Sequence, residues 1–152
     1  MFRISQYMRE LAKAEATGQY PVVRDRKATG PVVIWNLIRR CNLTCKHCYA
    51  LSADHDYAGE LGTQEVYTVM DDLRAFGVPV LILSGGEPLM RPDLFDIAAR
   101  ARGMGFYIGL STNGTLIDEP MADRVAAAGF DYVGISLDGL KPTHDKFRRL
   151  DG

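Results

Sequence analysis

An α/β fold on a parallel sheet is the class the sequence predicts, and three observations carry it. Apolar, β-branched segments alternate with amphipathic helical segments in the order β, αβ, αβ, αβ. Each helical segment runs into a glycine before the next strand segment. Ser84, Ser111 and Ser136, at the ends of the later strand segments, recur at intervals of 27 and 25 residues. Such alternation argues for right-handed helical crossovers, in an open doubly wound sheet or in an arc of a barrel. The regular interval favours the barrel wall.

Residues 2–15 set Ile4, Tyr7, Met8 and Leu11 at helical spacing, and Thr17-Gly18 ends that pattern. A polar connector with Arg24, Arg26 and Lys27 follows to Gly30, so residues 1–30 read as a helix and linker and residues 31–152 as the core. Val32 to Ile38 is almost wholly apolar, as a strand buried on both faces would be. Thr63 can cap a helix in which Val66, Met70, Leu73 and Phe76 share a face and Gly77 is the stop. Strand two is Val78 to Leu83. Pro92-Asp93 opens a helix with Leu94, Ile97, Ala98 and Ala101 inward and Gly103 at its end, before strand three, Phe106 to Leu110. Asp118 caps a third helix with Ala122, Val125 and Ala126 inward, ended by Gly129, and Tyr132 to Leu137 is strand four. A last helix is expected from Pro142 to Leu150.

Composition bounds the function. A chain of 152 residues with 47% hydrophobic and 24% charged residues has one globular core. Its net charge of −1 gives no general field for nucleic acid or anionic lipid. The longest apolar run, Val78 to Leu83, is far shorter than the ~20 residues a membrane helix needs. The first residues lack the apolar region of a secretory signal, so a cytoplasmic protein without membrane or nucleic-acid partners is expected.

Three cysteines carry the chemistry. Cys41, Cys45 and Cys48 are the only ones, an odd number too closely spaced for a secreted disulfide framework. At i, i+4 and i+7 they can face one centre. Soft thiolates suit zinc, copper(I) or an iron–sulfur cluster. A structural zinc site needs a fourth ligand; His47 abuts Cys48 too closely to supply it, and His55 or His144 requires a loop excursion. Three cysteines on a cluster that ordinarily takes four would leave one iron open. A non-catalytic zinc module and three metal-free thiols are the alternatives. Each strand is followed by a polar or glycine-rich segment, Cys41–Cys48, Ser84-Gly85-Gly86-Glu87-Pro88, Ser111-Thr112-Asn113-Gly114 and Ser136-Leu137-Asp138-Gly139, and parallel strands bring all four to the rim where α/β folds bind ligands. Gly103-Met104-Gly105 precedes a strand, the reverse of a dinucleotide fingerprint, and no P-loop occurs.

The C-x3-C-x2-C spacing of Cys41, Cys45 and Cys48, followed by Gly85-Gly86-Glu87-Pro88, resembles the two motifs of the radical S-adenosylmethionine (radical SAM) enzymes, from about Pro31 to the end. The resemblance implies a partial parallel (βα) barrel of six units, of which about four are present, and hence the N-terminal part of a longer enzyme. Alone, with the outer edge of strand four unpaired, this piece is expected to be poorly soluble and inactive. The resemblance further implies a [4Fe-4S] cluster on the three cysteines, its open iron chelated by the amino and carboxylate groups of S-adenosyl-L-methionine. An electron from a reductant such as flavodoxin or ferredoxin then cleaves that cofactor to a 5′-deoxyadenosyl radical. Gly85 and Gly86 would let the cofactor approach the main chain, Glu87 would accept from its ammonium, and Pro88 would fix the turn. Asn113 and Ser136 would meet the ribose and His47, through its backbone, the adenine; a plain turn at Asn113-Gly114 and a satisfied hydroxyl at Ser136 are the bland alternatives. Asp138 reads as a structural residue of the rim. The opening Met1 to Met8, Trp35-Asn36-Leu37 and Cys48-Tyr49-Ala50 are similar to the haem d1 branch of the family, implying a sirohaem-derived tetrapyrrole that loses propionate side chains. Arg39 and Arg40 could read its carboxylates or form a salt-bridged pair. Related haem-precursor decarboxylases and peptide-modifying enzymes share the same motifs.

Overall fold

A computed structural model describes residues 4–18 and 30–152. The elements are α1 (Ile4–Thr17), β1 (Val32–Ile38), α2 (Thr63–Ala75), β2 (Val80–Gly85), a 3-10 turn (Pro88–Met90), α3 (Leu94–Gly103), β3 (Tyr107–Thr112), α4 (Glu119–Ala128), β4 (Tyr132–Ile135) and α5 (Lys141–Arg148). The strands form one parallel sheet in sequence order, β1-β2-β3-β4. The basic cluster Arg24, Arg26 and Lys27 lies outside the described residues.

One apolar core holds the layers together. It joins Leu37 of β1, Leu81 and Leu83 of β2, and Ile108 and Leu110 of β3 to Val66 and Met70 of α2, to Leu94, Ile97, Ala98 and Ala101 of α3, and to Val125 of α4. All three crossover helices therefore cover the same face of the sheet. A doubly wound sheet carries helices on both faces, so this is a barrel wall, as the serine interval suggested.

The one-sided arrangement corrects the reading of β1. Val32 and Ile34 are 49% and 67% exposed, because β1 is a sheet edge and only the side carrying Val33, Trp35 and Leu37 meets the core. Phe76 is also exposed; the 3.6-residue period turns it about 80° off the Val66–Met70–Leu73 stripe. Ala122 and Ala126 face outward, since α4 enters the core through Val125 alone, flanked by half-buried Met121 and Phe130. Among the described side chains of α1, Met8 is exposed and Ala14 is buried.

Boundaries shift for identifiable reasons. β2 and β3 start later than expected and extend through Ser84-Gly85 and Ser111-Thr112. Val78 and Phe106 instead close the preceding helices, donating to the carbonyls of Leu73 and Ala101. β4 stops at Ile135, although the Ser136 N–H still donates to the Thr112 carbonyl at 3.0 Å. Gly62, not Thr63, is the N-cap of α2: its N–H donates to Glu65 Oε2 at 2.8 Å, and Thr63 Oγ1 donates to Asp93 at 2.6 Å. Asp118 caps α4 as expected, accepting from the Met121 N–H at 2.9 Å.

A buried cation ties the bottom of the β1 loop to the helix layer. Arg91, 8% exposed, donates to the Leu37 carbonyl at 2.8 Å, the Leu61 carbonyl at 3.0 Å and the Asp93 carboxylate at 2.7 Å. Burial pushes the Asp93 carboxyl up, but hydrogen bonds from Arg91 and Thr63 and the Arg91 charge outweigh it, so its pKa lies below the ordinary value. That stabilisation is fully present above the unfolded carboxyl's pKa of about 3.9 and is lost as pH falls through the lower folded value. Arg91→Leu takes the cation from Asp93, which keeps its Thr63 donor, and a donor from two carbonyls, and is expected to cost about 3 kcal/mol in urea unfolding. The deficit should shrink in the acid range where Asp93 protonates.

Candidate active site

The site begins where the ends of β1 and β2 cross. The Gly86 N–H donates to the Ile38 carbonyl at 2.6 Å and the Glu87 N–H to the Arg40 carbonyl at 2.9 Å. A Cβ on Gly85 would fall on the Ile38 carbonyl oxygen, and one on Gly86 on the carbonyl oxygens of Arg39 and Arg40. Gly85 also has φ +152°. The glycine pair is thus required first by main-chain packing of the segment entering the cysteine loop, before any approach of a ligand.

Glu87 is the hub beneath. It has no exposed surface; Oε1 accepts from the Leu89 N–H at 3.0 Å and the Thr112 hydroxyl at 2.8 Å, and Oε2 from the Asn113 N–H at 2.8 Å. These three donors make its carboxylate a join between the ends of β2 and β3. Pro88 is buried as the first residue of the 3-10 turn.

Asn113 carries that order to the cysteines. Its side-chain amide donates to Asn42 Oδ1 at 2.9 Å and to the Cys41 sulfur at 3.8 Å, while its Oδ1 accepts from the Thr115 N–H and hydroxyl. It makes the local turn of the plainer reading and also reaches the cysteine loop.

Each of the three sulfurs receives an N–H donor. Cys41 accepts from the Leu43 N–H at 3.4 Å as well as from Asn113; Cys48 accepts from the Ser52 N–H at 3.5 Å; Cys45 accepts from Arg148 Nη1 at 3.6 Å. Burial pushes the Cys41 thiol up and the charges of Glu87 and Cys45 add to this, against the Leu43 and Asn113 donors. Burial also acts upward on Cys48, but donors from Ser52, Ala50 and Leu51 outweigh it and the net shift is downward. Among the described residues no three His, Cys, Asp or Glu side chains converge on a single-ion position. A cubane carries its irons at separate corners, and its thiolates need only surround it. Three soft donors, each with a hydrogen bond to stabilise thiolate charge, fit an iron–sulfur cluster.

Around this centre, Arg40 is ion-paired to Asp54 at 2.6 Å and Asp56 at 3.0 Å. Arg39 donates to the Ala50 carbonyl and lies over the Tyr57 ring, 4.4 Å from its centroid. The salt-bridged alternative therefore describes Arg40, and Arg39 is equally engaged. His47, partly exposed, has Nε2 3.6 Å from Asp138 and packs its ring on Phe147. Ser136 lies just past β4, half-buried. Sequence reading missed Thr112, Arg91 and Arg148. Thr112 is the one with a legible signal, since it ends a strand beside Asn113.

The model of the Radical SAM superfamily matches residues 35–152. Pre-heme d1 synthase of Dinoroseobacter shibae is 52% identical over 155 residues, covering 100% of this chain and 36% of that protein. Fe-coproporphyrin III synthase of Methanosarcina barkeri is 52% identical over 129 residues, 85% of this chain and 32% of that protein. The chain thus spans about a third of the length of these relatives. In fold it is similar to Streptococcus suis SuiB bound to S-adenosylmethionine, with a TM-score of 0.67 at 15% identity over 97% of this chain and 33% of that one.

Two outcomes follow from the geometry. Gly86→Ala should displace the segment carrying Arg39 and Arg40 and lower iron uptake on anaerobic reconstitution, although it removes no ligand. In metal-free protein, Cys48 should alkylate faster than buried Cys41, read by peptide mass after brief iodoacetamide treatment at mildly alkaline pH.

Proposed function

The chain belongs to the radical SAM superfamily, and on that premise we propose that Cys41, Cys45 and Cys48 hold a [4Fe-4S] cluster in an enzyme that works on a haem-type tetrapyrrole. The observation that carries this reading is a loop of three hydrogen-bonded sulfurs pinned, through Gly86 and Glu87, to the end of the neighbouring strand. When bound, cluster and S-adenosyl-L-methionine supply reductive cleavage to methionine and a 5′-deoxyadenosyl radical that takes hydrogen from the substrate.

This chain's residues bind and orient. Buried Glu87 keeps the rim segments after β2 and β3 in one arrangement, and Asn113 extends that arrangement to Cys41. Positioning of this kind is what the protein contributes when a cofactor carries the chemistry. We assign the main chain of Gly85 and Gly86 to the methionine end of the cofactor, and Asn113, Ser136 and the backbone of His47 to its nucleoside. The electron comes from a cytoplasmic flavodoxin or ferredoxin.

The substrate reading rests on the names of the relatives, which concern haem d1 and coproporphyrin. A sirohaem-derived tetrapyrrole losing its propionate side chains is the reading we favour. With Arg39 and Arg40 already engaged, its carboxylates are read by other groups. The full-length protein, reconstituted anaerobically, should hold about four irons per chain, fall well short of that as Cys45→Ala, and convert didecarboxysirohaem with matching formation of 5′-deoxyadenosine. Zinc without iron would sink the cluster assignment. Formation of 5′-deoxyadenosine with an unchanged tetrapyrrole mass, while a peptide or another haem precursor is consumed, would sink the substrate alone.

A further inference from the structure

Cys41 and Cys48 draw their sulfur donors from neutral amides, whereas the donor to Cys45 is a cation on a separate element. Arg148 is the last residue of α5, and its Nη1 lies 3.6 Å from the sulfur. Its side chain is 12% exposed, and its Nε lies 2.6 Å from Asp138 Oδ2, off the line of a hydrogen bond, so that the pair is held by charge. The other oxygen of Asp138 is 3.6 Å from His47 Nε2. On the neighbouring residues, the Lys46 N–H donates to the Phe147 carbonyl at 2.8 Å and the rings of His47 and Phe147 stand 5.5 Å apart. The Asp138 N–H in turn donates to His144 Nδ1 at 3.3 Å, inside α5. The two residues after Cys45 are thereby stitched, directly and through Asp138, to the α5 residues before Arg148.

The arrangement has an electrostatic consequence. Reducing a cluster adds negative charge, and hydrogen bonds to the cysteine sulfurs are among the factors that set its potential. A guanidinium with little exposure is weakly screened and acts on that sulfur as charge and donor together. Asp138 lies against Nε of the guanidinium, whereas Nη1 is the atom that meets the sulfur.

We propose that Arg148, oriented by Asp138, is a positioning residue that raises the reduction potential of the cluster through the Cys45 sulfur. The inference rests on the cluster assignment made above and adds a residue from outside both sequence motifs. α5 contributes nothing to the apolar core, and this contact is what it brings to the site.

The test is a potentiometric titration of the full-length, anaerobically reconstituted enzyme, monitored by electron paramagnetic resonance without S-adenosylmethionine, beside iron content and cofactor affinity. In Arg148→Gln with normal iron, the ratio of reduced to oxidised cluster at the wild-type midpoint should fall about tenfold, a shift of ~59 mV to more negative potential for one electron. Arg148→Lys, which keeps the charge but not the fork, should lie between and carries the test if the glutamine variant does not fold. An unshifted midpoint in a loaded variant overturns the proposal and leaves the cluster assignment standing. Lost cofactor affinity at an unchanged midpoint overturns it too, and would give the guanidinium to the cofactor's carboxylate. Wild-type protein that takes up no iron overturns both readings together.

Discussion

The site depends on one main-chain crossing, that of Gly85-Gly86-Glu87 over Ile38-Arg39-Arg40. Two N–H donors bond across it, and side chains at either glycine would overlap carbonyl oxygens on the other strand. Parallel strands alone would bring the two loops to the same rim at ordinary sheet spacing. The crossing makes them touch. Cys41, the next residue after the crossing segment, therefore starts from a place set by β2 rather than by the loop's own conformation.

Glu87 extends this constraint sideways. A carboxyl group without solvent is tolerated when it is hydrogen-bonded, and three donors from the 3-10 turn and the end of β3 serve it here. The same two oxygens thus fix where Thr112 and Asn113 stand, and Asn113 reaches Cys41. The ends of β2 and β3 are joined through one side chain that never sees solvent, and the Glu87 N–H ties the same residue to the segment after β1. On the far side, Arg148 and Asp138 perform a comparable task for Cys45 and His47, using partly exposed charge in place of a buried one.

Much of this was legible. Helix positions followed from the 3.6-residue stripes and glycine stops, and the strands from short β-branched runs; the errors fell at edges. Phe76, Ala122 and Ala126 were assigned inward because apolar character marks what could be buried, whereas the neighbours decide what is. β1 read as doubly buried because its composition is that of an interior strand, although helices cover only one of its faces. In the site, the cysteine spacing and the glycine-glycine-glutamate-proline run were conspicuous. The burial of Glu87 and its bonds to the end of β3 were not legible, because a glutamate in a glycine-rich rim segment looks the same whether it faces a ligand or the interior.

The sequence by itself determined the alternation of elements, the chemistry of a three-thiol centre and the rim on which it stands, since each is written in local pattern and residue type. Only the tertiary structure decided which face the helices take, that the paired glycines answer to a neighbouring main chain, that Arg39 and Arg40 are engaged, and that Arg148 meets Cys45. Those contacts join residues 11 to 103 positions apart. No local periodicity records such distances, and they are set by which strands pair and how the loops close over them.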